Sequence, residues 1–256
     1  MEARQNQREI EFWGLPNGVL QQYQRRGINK LYSWQAKCVA EPGVLDGSEN
    51  LVYSAPTSGG KTLVAEIILF RKLASSPKTK VLIILPYVSL VRDKTNHLRK
   101  ILKNGCNGVK IKLQSFSGNA ATVLKKRTRI IVATIEKADK IINQALEHKR
   151  IGDFGVIVID EVHLIGDPSR GARLELLITK LLVARRHIVK NTQKPVNCLQ
   201  LVAMSATLPP DNLRSLTYKR VYSENKTVIS FLSVLNFPAM RNLVISFTLW
   251  WHAVSQ

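Results

Sequence analysis

Hydrophobic residues in this chain gather in short runs that are separated by longer, mixed segments. The clearest runs lie at residues 51–53, 81–85, 130–132, 156–159 and 199–203. They are rich in Val, Ile and Leu and do not alternate with polar residues, which is typical of strands buried on both faces. Residues 110–116 alternate instead, and this pattern predicts a further, more exposed strand.

Segments with a helical pattern lie between these runs, at residues 62–74, 88–103, 136–147 and 171–186. Strand and helix therefore alternate along the chain. This alternation predicts an α/β fold in which a mainly parallel sheet carries helices on both faces. No internal repeat or low-complexity linker interrupts residues 30–210, so a single domain is the simplest interpretation of that region.

Polar segments follow the predicted strands. They lie at residues 54–62, 86–89, 133–136, 160–163 and 205–207. In an open α/β sheet, ligands bind outside the carboxyl ends of the strands. We therefore expect these segments to gather along one edge of the sheet and to contain the functional residues.

The first of these segments, "SAPTSGGKT", has the form of a phosphate-binding loop. Gly59 and Gly60 allow a tight turn in which backbone N–H groups face phosphate oxygens, and the helix that follows adds its positive N-terminal end. Lys61 is predicted to reach the β and γ phosphates. Thr62 is predicted to offer its hydroxyl to Mg²⁺.

The loop departs from the usual pattern at one position. The pattern G-x-x-x-x-G-K-[ST] has glycine where this chain has Ala55. Because a methyl group is the smallest side chain after hydrogen, we expect the loop to stay compact. A glycine-rich strand-to-helix turn that binds no ligand is the alternative interpretation.

Two adjacent carboxylates, Asp160 and Glu161, end the strongly apolar run at residues 156–159. Such a position is unfavourable for charge unless an ion or a polar site receives it. A Mg²⁺ site accounts for both residues, because Asp160 would hold the metal while Glu161 polarises the attacking water. A helix N-cap that follows a strand is the alternative interpretation.

Composition and charge favour a polyanionic partner. The chain has 256 residues, 38 Lys and Arg, 18 Asp and Glu, and a formal net charge of +20. Such a charge attracts nucleic acid through counterion release, although solvated basic faces are the alternative. An apolar content of 45% is sufficient for a buried core.

Cysteine usage and the chain ends argue against secretion and membrane insertion. Cys38, Cys106 and Cys198 lie far apart and suggest neither a zinc site nor a disulfide framework, which fits a reducing compartment. Residues 1–11 are charged and lack the apolar centre of a signal peptide. The apolar blocks at residues 228–235 and 243–251 are each too short to cross a bilayer, so no membrane anchor is expected.

Together the motifs resemble the superfamily 2 DExH helicases. The resemblance is carried by "LYSWQ", "APTSGGKT", "DEVH" and "SAT", in that order. Within the superfamily, "LPYVSLV", "ATIEKA" and "RGARLELLITK" are similar to the Ski2-like branch and its polymerase-theta-like helicases. The similarity covers residues 14–210 and implies a RecA-like P-loop NTPase domain. Alanine at the start of the loop is ordinary in this family.

The resemblance implies ATP and Mg²⁺ as cofactors and assigns further residues to the nucleotide. Gln35 would read the adenine edge, and His163 would link the nucleotide site to the neighbouring motifs. The implied nucleotide contacts are Gln35, Ala55, Pro56, Thr57, Ser58, Gly59, Gly60, Lys61 and Thr62. The implied catalytic residues are Lys61, Asp160, Glu161 and His163, with Thr62 and Asp160 on the metal.

The resemblance also implies single-stranded DNA as the partner, with RNA as the alternative. Ser89, Gly118 and Thr134 fall where the family contacts the sugar-phosphate backbone, and such contacts position a strand without reading its sequence. Ser205 and Thr207 match the segment that couples hydrolysis to strand movement. The basic cluster at residues 125–129 fits a nuclear address, a phosphate patch or a solvated loop.

These observations predict an N-terminal segment at residues 1–30, a RecA-like ATP-binding domain at 31–210 and a divergent apolar tail at 211–256. A second RecA-like domain, which supplies an arginine finger in this family, is not recognised in the tail. Because such a finger contributes several orders of magnitude in rate, we expect the 256-residue chain to bind ATP and Mg²⁺ but to hydrolyse ATP slowly and unwind little.

The expected role is the ATP-binding motor of a nuclear DNA helicase that acts in DNA repair. An RNA helicase and a catalytically silent nucleic-acid-binding module are the alternatives. The oligomeric state and the direction of movement along a strand do not follow from the sequence.

Overall fold

The computed structural model describes residues 8–104, 110–119, 121–191 and 199–206. Six strands form one sheet: β1 (Leu51–Ser54), β2 (Lys80–Leu85), β3 (Lys112–Phe116), β4 (Thr128–Thr134), β5 (Phe154–Ile159) and β6 (Gln200–Ser205). Their order across the sheet is β1-β6-β5-β2-β4-β3. Every neighbouring pair is parallel, so the predicted α/β class and the parallel sheet are confirmed.

The sheet separates two hydrophobic cores, and β2 shows why its sequence does not alternate. Val81, Ile83 and Leu85 belong to the core on one face. Leu82 and Ile84 belong to the core on the other face. Because successive side chains of a strand point to opposite faces, a central strand with a core on each side requires apolar residues at every position.

Within the described ranges, six α-helices cover the two faces. The first face carries α1 (Asn17–Gln24), α2 (Ser33–Ala40), α3 (Lys61–Ser75) and α4 (Val88–Ile101), and the second carries α5 (Ile135–Glu147) and α6 (Gly171–Asn191). Short 3₁₀ turns lie at Ile10–Trp13, Leu102–Asn104, Ile151–Asp153 and Val162–Gly166. The four predicted helices are therefore confirmed. The predicted exposed strand is β3, at the edge of the sheet and only partly buried.

The segment before residue 31 packs on the first face rather than apart from it. Ile10, Trp13 and Val19 are buried in the same core as α3. Arg71 of α3 donates a hydrogen bond to the backbone oxygen of Trp13 at 2.6 Å. Residues 8–30 therefore support the helix that begins at the predicted phosphate-binding loop.

Several predictions concern residues outside the described ranges. These are the apolar tail at 211–256, Thr207, Cys106 and Cys198. Within the described ranges, Cys38 is a buried free thiol, and burial, with a smaller contribution from Glu41, raises its pKa to about 12. No helix in that part of the chain has the length and apolar character needed to cross a membrane.

Candidate nucleotide and nucleic-acid site

The carboxyl ends of three neighbouring strands, β1, β6 and β5, lie side by side along one rim of the sheet. Residue Ser54 of β1 lies in register with Ser205 of β6, and the N–H of Ala55 donates to the backbone oxygen of Ser205 at 3.2 Å. On the other side of β6, β5 ends at Ile159, one residue before Asp160. The expected gathering of the loop, "DEVH" and "SAT" at one rim is present for the residues that the structure describes.

The phosphate-binding loop turns through two residues with left-handed backbone, Ser58 (φ 66°) and Gly60 (φ 80°). The N–H of Gly59 donates to the oxygen of Pro56 at 2.9 Å, and residues 56–58 are exposed. Gly60 is the N-cap of α3, and no side chain caps this end of the helix. The N–H of Leu63 donates to the oxygen of Gly60 at 3.1 Å, so the N–H groups of Lys61 and Thr62, the first two of this 15-residue helix, are left for an anion.

Lys61 folds back over the loop. Its Nζ donates to the backbone oxygens of Ala55 at 2.9 Å and Pro56 at 3.0 Å. Among the described residues, no carboxylate forms a salt bridge with this ammonium. Phosphate oxygens could replace the two carbonyls, because a hydrogen bond between two charged groups is stronger than one to a neutral carbonyl. Thr62 follows and is partly buried.

Gln35 is buried against the loop. Its Nε2 donates to the backbone oxygen of Gly60 at 2.9 Å, and its Oε1 accepts from the N–H of Tyr32 at 2.8 Å. The side chain therefore connects the start of α2 to the phosphate-binding loop. Contact between Gln35 and adenine stays a prediction.

Asp160 and Glu161 form the acidic side of the rim. Asp160 Oδ1 accepts a hydrogen bond from the N–H of Glu161 at 2.9 Å, and Glu161 has a left-handed backbone (φ 52°). Burial and then the neighbouring Glu161 charge raise the pKa of Asp160, while the hydrogen bond from the Glu161 N–H and the charges of Lys94 and Lys61 act in the opposite direction. Asp160 lies one residue after β5, and the loop that carries Lys61 follows β1; both strands flank β6 in the sheet.

The acidic residues fit a magnesium ion that is shared with phosphate. Glu161 Oε2 is buried and has no hydrogen bond within the described residues, and Asp160 is disfavoured as an anion. A cation would satisfy both groups. In that part of the chain no cluster of three His, Cys, Asp or Glu residues could hold a metal alone. Mg²⁺ characteristically binds one or two carboxylates together with substrate phosphates, and Thr62 and Asp160 would be its protein ligands.

His163 connects the acidic segment to β6. Its Nδ1 lies 2.9 Å from Ser205 Oγ and 3.2 Å from Glu161 Oε2. Only the contact with Ser205 has hydrogen-bond geometry, since Glu161 Oε2 has no hydrogen-bond partner. Two predicted residues from separate motifs, His163 and Ser205, are thus in direct contact.

The three predicted strand contacts differ in accessibility. Ser89, in the first turn of α4, and Gly118, after β3, are exposed. Thr134 ends β4, pairs in register with Leu85, and is 4% exposed. Its side chain is therefore not open to a strand, whereas Ser89 and Gly118 are.

The basic cluster at residues 125–129 divides into two parts. Arg129 donates to the backbone oxygens of Leu73 at 2.7 Å and Thr79 at 3.1 Å, close to the end of α3. It is a structural residue. Residues 125–127 are exposed and are the part of the cluster that a partner could reach.

A buried charge cluster that was not predicted from the sequence lies on the helix that follows the loop. Glu66 of α3 is 1% exposed, and it accepts from Lys94 Nζ at 2.7 Å and from the Tyr23 hydroxyl. His97 Nε2 lies 3.0 Å from the same carboxylate. Burial alone would raise the pKa of Glu66, but Lys94 and His97 lower it to about 2. The available signal was a single carboxylate inside the apolar helical segment "LVAEIILF".

Known proteins with similar sequences are helicases or contain helicase regions that match this chain. Residues 32–216 match the sequence model of the DEAD/DEAH box helicase family. The chain is 40% identical over 202 residues to DNA polymerase theta of Mus musculus, 38% over 204 residues to Helicase POLQ-like of Homo sapiens, and 33% over 196 residues to ATP-dependent DNA helicase Hel308 of Methanocella arvoryzae. These alignments cover 77%, 77% and 76% of this chain, but only 8%, 17% and 24% of the relatives.

Solved structures share the fold. The DUF1998 helicase MrfA bound to DNA superposes with a TM-score of 0.61 at 22% identity, over 82% of this chain and 30% of that protein. The predicted resemblance to DExH helicases of the Ski2-like branch is confirmed by these relatives. The chain belongs to the DEAD/DEAH box helicase family.

Proposed function

We propose that this chain is the ATP-binding motor domain of an ATP-dependent DNA helicase that acts in DNA repair. The observation that supports it best is the position of the phosphate-binding loop with Lys61, after β1, and of Asp160, after β5, on the two sides of β6 at one rim of the sheet. Relatives named as a DNA polymerase, a polymerase-theta-like helicase and an ATP-dependent DNA helicase favour DNA as the substrate. A nuclear location is part of the proposal, with residues 125–127 as the accessible basic segment.

Each residue of the rim has a defined task in this proposal. The loop amides and Lys61 hold the phosphates, and Thr62 and Asp160 hold Mg²⁺, which when bound neutralises charge on the phosphate oxygens. Glu161 orients and polarises the water for attack on the γ phosphorus. The hydrogen bond of His163 to Ser205 then provides a connection from the carboxylates to β6.

Single-stranded nucleic acid would cross the same rim of the sheet, next to the nucleotide site, at the carboxyl ends of β2 and β4. Ser89 is exposed there, at the N-terminus of a 14-residue helix. Exposed polar groups and backbone amides suit phosphate oxygens and carry no base preference. Binding should therefore depend on strand chemistry and on the nucleotide, but not on sequence.

The test is a binding titration of the 256-residue chain. A labelled 20-nucleotide DNA strand and an RNA strand of the same sequence are each titrated with and without Mg²⁺ and a non-hydrolysable ATP analogue. We expect tighter binding to DNA, and a dependence on the analogue that is lost in Lys61→Ala.

Two outcomes would contradict the proposal. Preference for RNA would support the RNA helicase alternative. An affinity for the strand that changes neither with the ATP analogue nor with the Lys61→Ala substitution would support the catalytically silent binding module.

A further inference from the structure

An exposed aromatic side chain lies directly on the rim. Tyr87 follows central strand β2 and is the N-cap of α4. It is 47% exposed, and the next apolar side chains, Val88 and Leu90, are 45% and 36% exposed. Contiguous exposed apolar residues that are rimmed by polar groups mark interaction sites more often than isolated ones do.

Tyr87 is held by a basic residue from a distant part of the chain. The guanidinium carbon of Arg170 lies 4.6 Å from the centre of the Tyr87 ring, a cation–π arrangement. The guanidinium of Arg170 makes no hydrogen bond or salt bridge to the residues that the structure describes. Its N–H groups are therefore available to an anion while the ring fixes its position.

The turn before α6 is built to place Arg170. Asp167 Oδ1 accepts hydrogen bonds from the N–H of Ser169 and the N–H of Arg170, both at 2.9 Å. Gly171 begins α6, and a Cβ atom there would lie 2.1 Å from the backbone oxygen of Ile165. Only glycine fits this close approach, so the turn and the arginine position are fixed together.

From this geometry we propose that Tyr87 and Arg170 bind one nucleotide of the single strand, the base on the tyrosine ring and the phosphate on the guanidinium. A tyrosine ring stacks on any base, and an arginine that is already stacked on a ring can also bind phosphate. The pair therefore adds a base contact, independent of sequence, to a rim that was expected to contact only the backbone. This proposal rests on the proposed function of the same rim.

The test compares an ordinary DNA strand with a strand of equal length that carries abasic residues. Both are titrated against the 256-residue chain in the presence of Mg²⁺ and a non-hydrolysable ATP analogue. Tyr87→Ala should weaken binding of the ordinary strand by about five-fold or more and weaken binding of the abasic strand by less, because only the ordinary strand loses a stacked base. Tyr87→Phe keeps the ring and should bind both strands like the unsubstituted chain.

Arg170→Ala should weaken binding of both strands. It should also reduce the slope of log affinity against log salt concentration by about 0.7, which corresponds to one phosphate contact. Phe12→Ala and Arg25→Ala are matched controls, because they remove another exposed ring and another exposed positive charge. Circular dichroism checks that each variant is folded.

Equal losses for Tyr87→Ala on ordinary and abasic strands would overturn the base contact. Unchanged binding in both Tyr87→Ala and Arg170→Ala, with the unsubstituted chain still binding in a manner that depends on the ATP analogue and on Lys61, would overturn this inference alone. Failure of the unsubstituted chain to bind either strand would overturn the proposed function as well.

Discussion

Single residues decide the shape of the nucleotide loop, and Gly60 shows this most clearly. Its backbone is left-handed (φ 80°), and an added Cβ would lie 2.5 Å from Gln35 Nε2. Substitution therefore combines backbone strain with a steric clash against a buried side chain. The usual P-loop pattern identifies this glycine, but only the fold shows that Gln35 fills the space beside it.

A non-glycine residue with a left-handed backbone costs about 1 kcal/mol. Gly60→Ala should lower the free energy of unfolding by more than this amount, because the added Cβ also approaches Gln35. Gly27→Ala is the matched control, because Gly27 has φ 76° and no atom within 4 Å of an added Cβ. Chemical denaturation of both variants measures the difference. A Gly60→Ala loss equal to that of Gly27→Ala would show that Gln35 does not constrain the loop.

Asp160 is a residue whose charge opposes folding in the absence of metal. Its pKa is raised by burial and by Glu161, so its anionic form lowers stability above that pKa, and stability returns as the pH falls through it. Asp160→Asn should therefore raise the free energy of unfolding of the nucleotide-free chain at neutral pH, by about 0.5–2 kcal/mol, while Mg²⁺-dependent nucleotide binding is lost.

Asp153→Asn is the control for that prediction, because the pKa of Asp153 is shifted in the opposite direction to that of Asp160. Burial would raise the pKa of Asp153, but its hydrogen bonds with Lys80 and Arg150 lower it. Its replacement should therefore destabilise the chain at neutral pH. A loss of stability in Asp160→Asn, measured under the same conditions, would contradict the description of Asp160 as an anion whose burial outweighs its favourable contacts.

At the scale of elements, the buried Glu66 cluster joins three helices. Glu66 lies on α3, Lys94 and His97 on α4, and Tyr23 on α1. The helix that begins at the phosphate loop is therefore fixed to α4, the helix that follows Tyr87. Breaking a buried ion pair by removal of one partner is strongly destabilising, because the other charge remains buried.

Glu66→Gln should lower the free energy of unfolding by about 3 kcal/mol at neutral pH. The pKa of Glu66 in the folded chain is about 2, below the value of about 4.3 expected when unfolded. Its contribution is thus complete above about pH 4.3 and is lost as the pH falls towards 2. The difference between Glu66→Gln and the unsubstituted chain should narrow over this range.

Glu147→Gln, at an exposed position at the end of α5, is the control for the Glu66 substitution. Urea denaturation at several pH values between 3 and 7 gives both comparisons. A Glu66→Gln effect as small as that of Glu147→Gln would mean that the cluster does not stabilise the arrangement of the three helices.

The strands and helices were largely predictable, because burial on one or both faces gives each element a characteristic pattern of apolar residues in the sequence. The run at 81–85 is apolar throughout since Val81 and Leu82 face different cores. The insertion of β6 between β1 and β5 was not predictable, because it depends on pairing between residues about 150 positions apart. The same limit applies to the pair of Tyr87 and Arg170: both lie in segments that resemble the family, "LPYVSLV" and "RGARLELLITK", but their contact with each other depends on the fold.

At the scale of the whole molecule, we expect net charge to contribute much of the affinity for a strand. The chain carries a formal charge of +20, so release of counterions should contribute much of the binding free energy. The logarithm of the affinity for single-stranded DNA should fall linearly with the logarithm of salt concentration, with a slope of about −2 or steeper if three or more phosphates are contacted.

A strand with a neutral methylphosphonate backbone is the control for this salt dependence, and fluorescence anisotropy measures both strands. Equal affinity for the two strands, or no salt dependence for the ordinary one, would contradict electrostatic binding.

The most direct test of the central claim is calorimetric titration of the 256-residue chain with Mg²⁺ and ATP. If Lys61 and Asp160 form one nucleotide site, the unsubstituted chain binds one equivalent, and Lys61→Ala and Asp160→Asn each weaken binding at least about ten-fold, or about 1.4 kcal/mol. Binding that is equal in all three proteins would contradict the claim.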